Sequence, residues 1–135
     1  MGFGRGWVEE RSILGRIVNK RAVGTAYEKA VGAYLEKQGY RIMEYNFRCR
    51  SGEIDIIARD GEYLVFVEVK YRKDAGSGSP LEAVDARKQR TISRTALYYC
   101  MKHGYGETTP RRFDVAAVLG EEITLIKNAF LYQGY

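Results

Sequence analysis

An α/β domain, built on a mixed sheet flanked by helices, is the fold class this sequence predicts. Three observations carry that expectation. An amphipathic helical pattern precedes three strand-like runs, the pair Asp60-Gly61 sits between two of those runs, and a long helical stretch separates the third strand from a fourth. A tight turn joins antiparallel strands. A helix between two strands implies a right-handed parallel crossover, so the sheet has to be mixed. The expected order is α-β-β-β-α-β-β.

Residues 1–20 are rich in Gly and Arg, lack a sustained period, and read as a loosely ordered basic leader with weak helical character over 13–18. Residues 21–135 read as a single domain. From Gly24 the pattern changes: Val23, Tyr27, Ala30, Val31, Tyr34 and Leu35 recur at three- and four-residue steps, and Gly39 is placed to end that helix in a left-handed cap. Residues 40–49 alternate as a strand. Residues 53–59 and 62–71 are β-rich, with Asp60-Gly61 as the two-residue turn between them. Val65-Phe66-Val67 is apolar on both faces, which predicts an interior strand covered on two sides. Residues 74–79 read as a short loop. Ser79-Pro80 starts a helical pattern that runs through Val84, Ile92, Ala96, Tyr99 and Cys100 to Gly104, with a break near Asp85. Residues 113–119 read as a buried strand, and residues 123–126 as another after the Gly120-Glu121 turn.

Composition narrows the function classes. At 135 residues the chain has room for one ordinary core, not for separate catalytic and binding domains. Its net charge of +5, from 22 Lys+Arg against 17 Asp+Glu, favours a polyanionic partner such as nucleic acid. Cys49 and Cys100 form no Cys-x-x-Cys pair, which argues against a disulfide framework or structural zinc and points to a reducing cytosol. A single histidine, His103, excludes mechanisms that need two imidazoles. No apolar run reaches the ~20 residues of a membrane span, so no membrane partner is expected.

The chemistry concentrates at Gly52-Glu53-Ile54-Asp55 and Glu68-Val69-Lys70. If Asp60-Gly61 is the turn, Asp55 opposes Phe66 and Glu53 opposes Glu68. Alternation then puts Glu53, Asp55, Glu68 and Lys70 on one face, and Ile54, Ile56, Ala58, Val65, Val67 and Val69 on the other as core. Asp55 and Glu68 become diagonal neighbours at roughly 7–8 Å, within reach of one shared cation. A one-residue slip would separate them. Glu53 facing Glu68 would repel, a cost that a cation relieves. The bland alternative is a solvated hairpin whose face happens to be acidic.

Four further groups bear on the site. Glu28 flanks the apolar stripe of the first helix and is placed to add a metal ligand, or else is a solvated helix charge. Lys88 shares a face with Ile92 and is placed to reach a phosphate, or else snorkels; Arg87, Arg90 and Arg94 add a basic stripe. Asp114 opens a buried strand as a structural salt-bridge partner or as support behind the metal ligands. Of eleven tyrosines, Tyr71 beside Lys70 is the one expected to meet a ligand, while Tyr27, Tyr34 and Tyr99 sit at core spacings.

Taken in order, Glu28, Gly52-Glu53-Ile54-Asp55, Val65-Phe66-Val67-Glu68-Val69-Lys70-Tyr71-Arg72, Lys88 and Arg112-Phe113-Asp114-Val115 resemble the YraN family of small bacterial proteins, over residues 20–127. That family is similar to restriction-endonuclease-like nucleases of the PD-(D/E)xK type, and especially to archaeal Holliday junction resolvases. The resemblance implies a restriction-endonuclease-like mixed sheet. It makes Asp55 the motif aspartate, Glu68 the second acid, Lys70 the motif lysine and Glu28 the helix-borne glutamate of the resolvase-like branch. Ile54 stands where the motif name has proline. The expectation is a Mg²⁺- or Mn²⁺-dependent endonuclease on DNA, ahead of RNA, with branched or structured substrates in view. Asp55, Glu68, Glu28 and the Val69 carbonyl would hold metal, Lys88, Arg87, Arg90, Tyr71 and Arg72 would contact nucleic acid, and Glu53 and Asp114 would support from behind. A homodimer is compatible with this reading. The rivals are a non-catalytic nucleic-acid-binding or adaptor module that keeps the fold, and a plain interaction protein.

Overall fold

The computed structural model describes residues 13–72 and 79–133, with side chains from residue 25 onward. Helix α1 spans Ile13–Lys37, followed by strands β1 (Arg41–Cys49), β2 (Gly52–Asp60) and β3 (Tyr63–Arg72). A 3-10 turn, Pro80–Ala83, leads into helix α2 (Ala86–Lys102), and strands β4 (Arg111–Leu119) and β5 (Glu122–Phe130) complete the order. The expected α-β-β-β-α-β-β sequence and the α/β class are both present, consistent with a restriction-endonuclease-like architecture. Helix α1 begins earlier than the Gly24 signal suggested: residues 13–20, read as part of a basic leader, are its first turns. Residues 1–12 lie outside the described residues. Among the described residues no helix is long and apolar enough to cross a membrane.

The five strands lie in the order β1-β2-β3-β4-β5, antiparallel except for the parallel β3–β4 pair that spans the α2 crossover. Strand β3 is therefore central, and Leu64 to Val67 are fully buried, as the two-sided apolar run required. One helix covers each face. Val31, Leu35 and Tyr40 of the α1 side pack on Ile56, Ala58, Val65, Val67, Ala116 and Val118. On the other face Ile92, Ala96, Tyr99 and Cys100 of α2 pack on Ile57, Leu64, Phe66, Phe113 and Val115.

The ends of both helices follow from local chemistry. Gly39 takes φ +98, and the Tyr40 N–H returns to the Leu35 carbonyl while the Gly39 N–H reaches Glu36, a Schellman closure that also puts Tyr40 against Leu35. Asp85 caps α2 by accepting from the Lys88 N–H at 2.9 Å, and the expected break at Asp85 is the boundary between the 3-10 turn and α2. Gly52 is required by close approach: a Cβ there would lie 2.6 Å from Thr91 Cγ2 of α2.

The hairpin differs from expectation by two residues. Asp60 pairs with Tyr63, so Gly61 and Glu62 form the loop, and Gly61 at φ +63 supplies the left-handed first position that such a loop needs. Recorded pairing runs from there to Ile56↔Val67. Because the shift is two and not one, side-chain parity survives. Glu53 does not oppose Glu68, however, and Asp55 does not oppose Phe66. The next residues along the two strands beyond Ile56 and Val67 are Asp55 and Glu68.

Candidate active site

The site forms where β1 and β2 change face. Asn46 of β1 sits at φ +55, an uncommon conformation for a residue with a side chain. On one side of it, the pair Tyr45↔Ile56 belongs to the α1 core. On the other, Phe47↔Ile54 belongs to the α2 core. Ile54 was expected on the same face as Ile56, and this inversion at Asn46 and Asp55 is why it is not. Asp55 lies at the inversion. Instead of continuing the ladder, its Oδ2 accepts the Val69 N–H of β3 at 2.8 Å. Its other oxygen has no protein partner among the described residues. No buried side-chain polar atom among the described residues is left unsatisfied, so that oxygen is open to solvent or a ligand.

Glu68, one residue before Val69, is 6 % exposed and faces α2. Its Oε2 lies 3.5 Å from Lys70 Nζ and 3.5 Å from Lys88 Nζ, so two ammonium groups converge on one buried oxygen. Glu28 is half-buried on α1 near Asn46. Its carboxyl is pushed up from the usual range mainly by burial, with Glu53 and Glu68 adding to the rise and Asn46 and Arg48 opposing it. Asp55 is pushed up to about 8, first by burial and next by the Glu68 charge. The Val69 N–H opposes the shift, and Glu28 and Glu53 reinforce it. Four carboxylates thus feel one another, as sharing one locality requires.

The donor chemistry suits a hard divalent cation: all-oxygen donors, strained by mutual repulsion that a cation relieves. Yet among the described residues no group of three or more Asp, Glu, Cys or His stands in an arrangement that holds a metal ion. The Glu68 carboxylate is engaged by its two lysines.

The profile of the uncharacterised protein family UPF0102 matches residues 27–118. The chain belongs to UPF0102. UPF0102 proteins of Lachnoclostridium phytofermentans and Syntrophus aciditrophicus are 53% and 47% identical to it over 113 and 119 residues, covering 84% and 85% of this chain and 96% and 93% of the relatives. One from Geobacter sulfurreducens is 46% identical over 117 residues, 83% of this chain and 91% of the relative. The family match takes in Glu28, Asp55, Glu68, Lys70, Lys88 and Asp114, the residues that carried the resemblance.

Other expected residues of this UPF0102 member stand apart from the cluster. Glu53 pairs with Arg48 at 3.4 Å and reaches the site only through its charge. Asp114 is on the opposite face from Glu68, bound to Arg112, Tyr40 and the Asn128 N–H, so it is structural and not a support behind the site. Alternation along β3 turns Tyr71 towards α1, where it stacks on Tyr27 with centroids 4.4 Å apart; burial and the bond to Tyr71 push the Tyr27 hydroxyl up to about 12. Arg72 donates to the Ser79 carbonyl, tying the end of β3 to the start of the 3-10 turn. Arg87 and Arg94 are exposed on α2, and Arg90 is partly buried. A recess of about 360 Å³ beside the C-terminal half of α2, lined by Leu97, Arg111, Phe113, Phe130 and Tyr132 among others, contains none of the cluster. Sequence reasoning missed Asn46. An asparagine inside a strand is uncommon and tolerates the left-handed region, and that was the signal available.

Proposed function

We propose that the protein is a Mg²⁺- or Mn²⁺-dependent endonuclease that hydrolyses phosphodiester bonds of DNA, with branched or otherwise structured DNA as the substrate class. The observation that carries this reading is the buried Glu68 carboxylate between Lys70 and Lys88, with Asp55 and Glu28 close enough for the Glu68 charge to raise the proton affinity of both. Asp55, Glu68 and the Val69 carbonyl would hold the cation, and Glu28 would assist through a further oxygen. Bound there, the cation supplies charge stabilisation at the phosphate and a more acidic water. Lys70 orients the attacking water and faces the negative charge that builds on the phosphate oxygens. Lys88, with Arg87 and Arg90 on the first turns of α2, holds the phosphate backbone.

The experiment is cleavage of labelled branched, nicked and single-stranded DNA with Mn²⁺ by wild type, Glu68→Ala and Lys70→Ala. A loss of at least a hundredfold is expected in each variant, as for removal of a group that stabilises developing charge. Cleavage by either variant at the wild-type rate would remove the catalytic assignment. A second reading is favoured by the engagement of Glu68 with two lysines: a non-catalytic DNA-binding module that keeps the fold. It expects salt-sensitive DNA binding that is indifferent to Mn²⁺ and to Lys70, and no turnover by wild type.

A further inference from the structure

We propose that Lys88 stands in for the divalent cation at Glu68, and that exchanging one for the other couples cation binding to DNA binding. The inference rests on the metal-dependent reading above. Glu68 Oε2 is shared by two ammonium groups at 3.5 Å each, one more positive charge than a single carboxylate needs. The carboxylates Glu28 and Glu53 add negative charge to the same locality. Acids gathered around one lysine-paired carboxylate make a locality electrostatically suited to a cation.

The two lysines differ in how they are held. Lys70 lies two residues from Glu68 on β3, so alternation fixes it on the same face, and its side chain is 27% exposed. Lys88 arrives from α2, where the Asp85 cap holds its backbone while its side chain, 41% exposed, has a short path into water. A lysine side chain in that position changes rotamer at small cost. When Glu68 and Asp55 take a divalent cation, Lys88 loses its attraction to Glu68 and is repelled by the new charge, whereas Lys70 has nowhere else to go. Released, Lys88 joins Arg87 and Arg90 at the same end of α2, facing a phosphate backbone. Linkage then requires reciprocity: the cation tightens DNA, and DNA tightens the cation, by the same factor.

The consequence runs against the usual effect of deleting a site residue. Full-length wild type, Lys88→Met and Lys88→Arg are titrated with Mn²⁺ by calorimetry. Binding of a labelled branched DNA is then measured by anisotropy in Ca²⁺ and in EDTA. Lys88→Met keeps the aliphatic stem and loses the competing charge, so Mn²⁺ binds more tightly, on the order of fivefold for one charge a few ångströms away in a half-exposed site. DNA binding by Lys88→Met weakens in Ca²⁺ and matches wild type in EDTA, where Lys88 is held by Glu68. Lys88→Arg retains the charge and behaves as wild type in the Mn²⁺ titration. Equal or weaker Mn²⁺ binding by Lys88→Met overturns the exchange and leaves the metal reading standing. Heat from neither wild type nor Lys88→Met overturns both, and heat from Lys88→Met alone supports the exchange.

Discussion

Asp55 carries the site carboxyl whose proton is held furthest into the neutral range. Burial and the Glu68 charge hold its carboxyl at about 8, far above an ordinary aspartate. The folded protein therefore keeps a proton on Asp55 that the unfolded chain has already lost. Stability conferred by that proton is complete at low pH and declines from the ordinary carboxyl range near 4 up to about 8, by up to about 1.4 kcal/mol per pH unit. Asp55→Asn removes the group and with it that decline. Thermal or urea unfolding in EDTA, followed from pH 5 to 9, is expected to show the variant gaining on wild type until about pH 8 and holding a constant lead above it. A cation needs the deprotonated carboxylate, so Mn²⁺ affinity in wild type rises by up to about tenfold per pH unit across the same window. Calorimetry in buffers of different ionisation heat reads the released proton, and pH-independent Mn²⁺ binding would contradict this account of Asp55.

At the scale of elements, the inversion in β1 and β2 is what turns an acidic strand into a site. Asn46 holds φ +55 at the inversion that refaces Ile54, and its side chain favours the charged form of Glu28. Asn46→Ala removes the short polar side chain that makes the left-handed region tolerable and is expected to destabilise by about 1 kcal/mol. Asn46→Gly recovers most of that backbone cost but still leaves Glu28 without its partner. Urea unfolding separates the two: the difference between Ala and Gly reports the backbone, and what Gly leaves unrecovered reports the Glu28 contact. Equal loss in both variants would mean that the backbone conformation is not the issue. The same stretch marks where sequence legibility ended. The helix–strand order and the α2 crossover were readable because each depends on local periodicity, and Gly39, Asp85 and Gly104 sit where local capping chemistry puts them. The convergence of Lys70 and Lys88 on Glu68 was readable because alternation along β3 puts Lys70 beside Glu68 and because Lys88 shares the buried face of Ile92 on α2. The two-residue shift of the hairpin was not, since Asp60-Gly61 and Gly61-Glu62 both offer a glycine to the loop. A left-handed residue inside a strand has no periodic signature, so Ile54 was placed on the wrong face. Tyr71 likewise gave no sign that Tyr27 would take its ring.

The sheet separates two polar clusters, the Asp114–Arg112 network and the lysine-paired Glu68. On the α1 face, Asp114 is fully buried and accepts from Arg112 at 2.9 Å and from the Tyr40 hydroxyl at 2.9 Å. Arg112 also reaches Asp60 at 2.9 Å, and Lys127 approaches the same Asp60 oxygen at 3.7 Å. Strands β2, β4 and β5 and the end of α1 are joined through these groups, which hold the Arg112 guanidinium firmly protonated and push the Tyr40 hydroxyl up through burial and the Asp114 charge. Each of these groups has a partner, so removing one is costly. Asp114→Ala leaves the Arg112 charge without its buried partner and is expected to cost about 3–5 kcal/mol in urea unfolding. Glu68 sits on the opposite face of the sheet from Asp114, and the two clusters share backbone through β2 and the β3–β4 pair. Well below its unfolding transition, Asp114→Ala is therefore expected to give the same Mn²⁺ affinity by calorimetry as wild type, whereas Glu68→Ala abolishes that heat at little cost in stability. A large fall in Mn²⁺ affinity in the folded Asp114→Ala protein would instead join the two clusters into one functional unit.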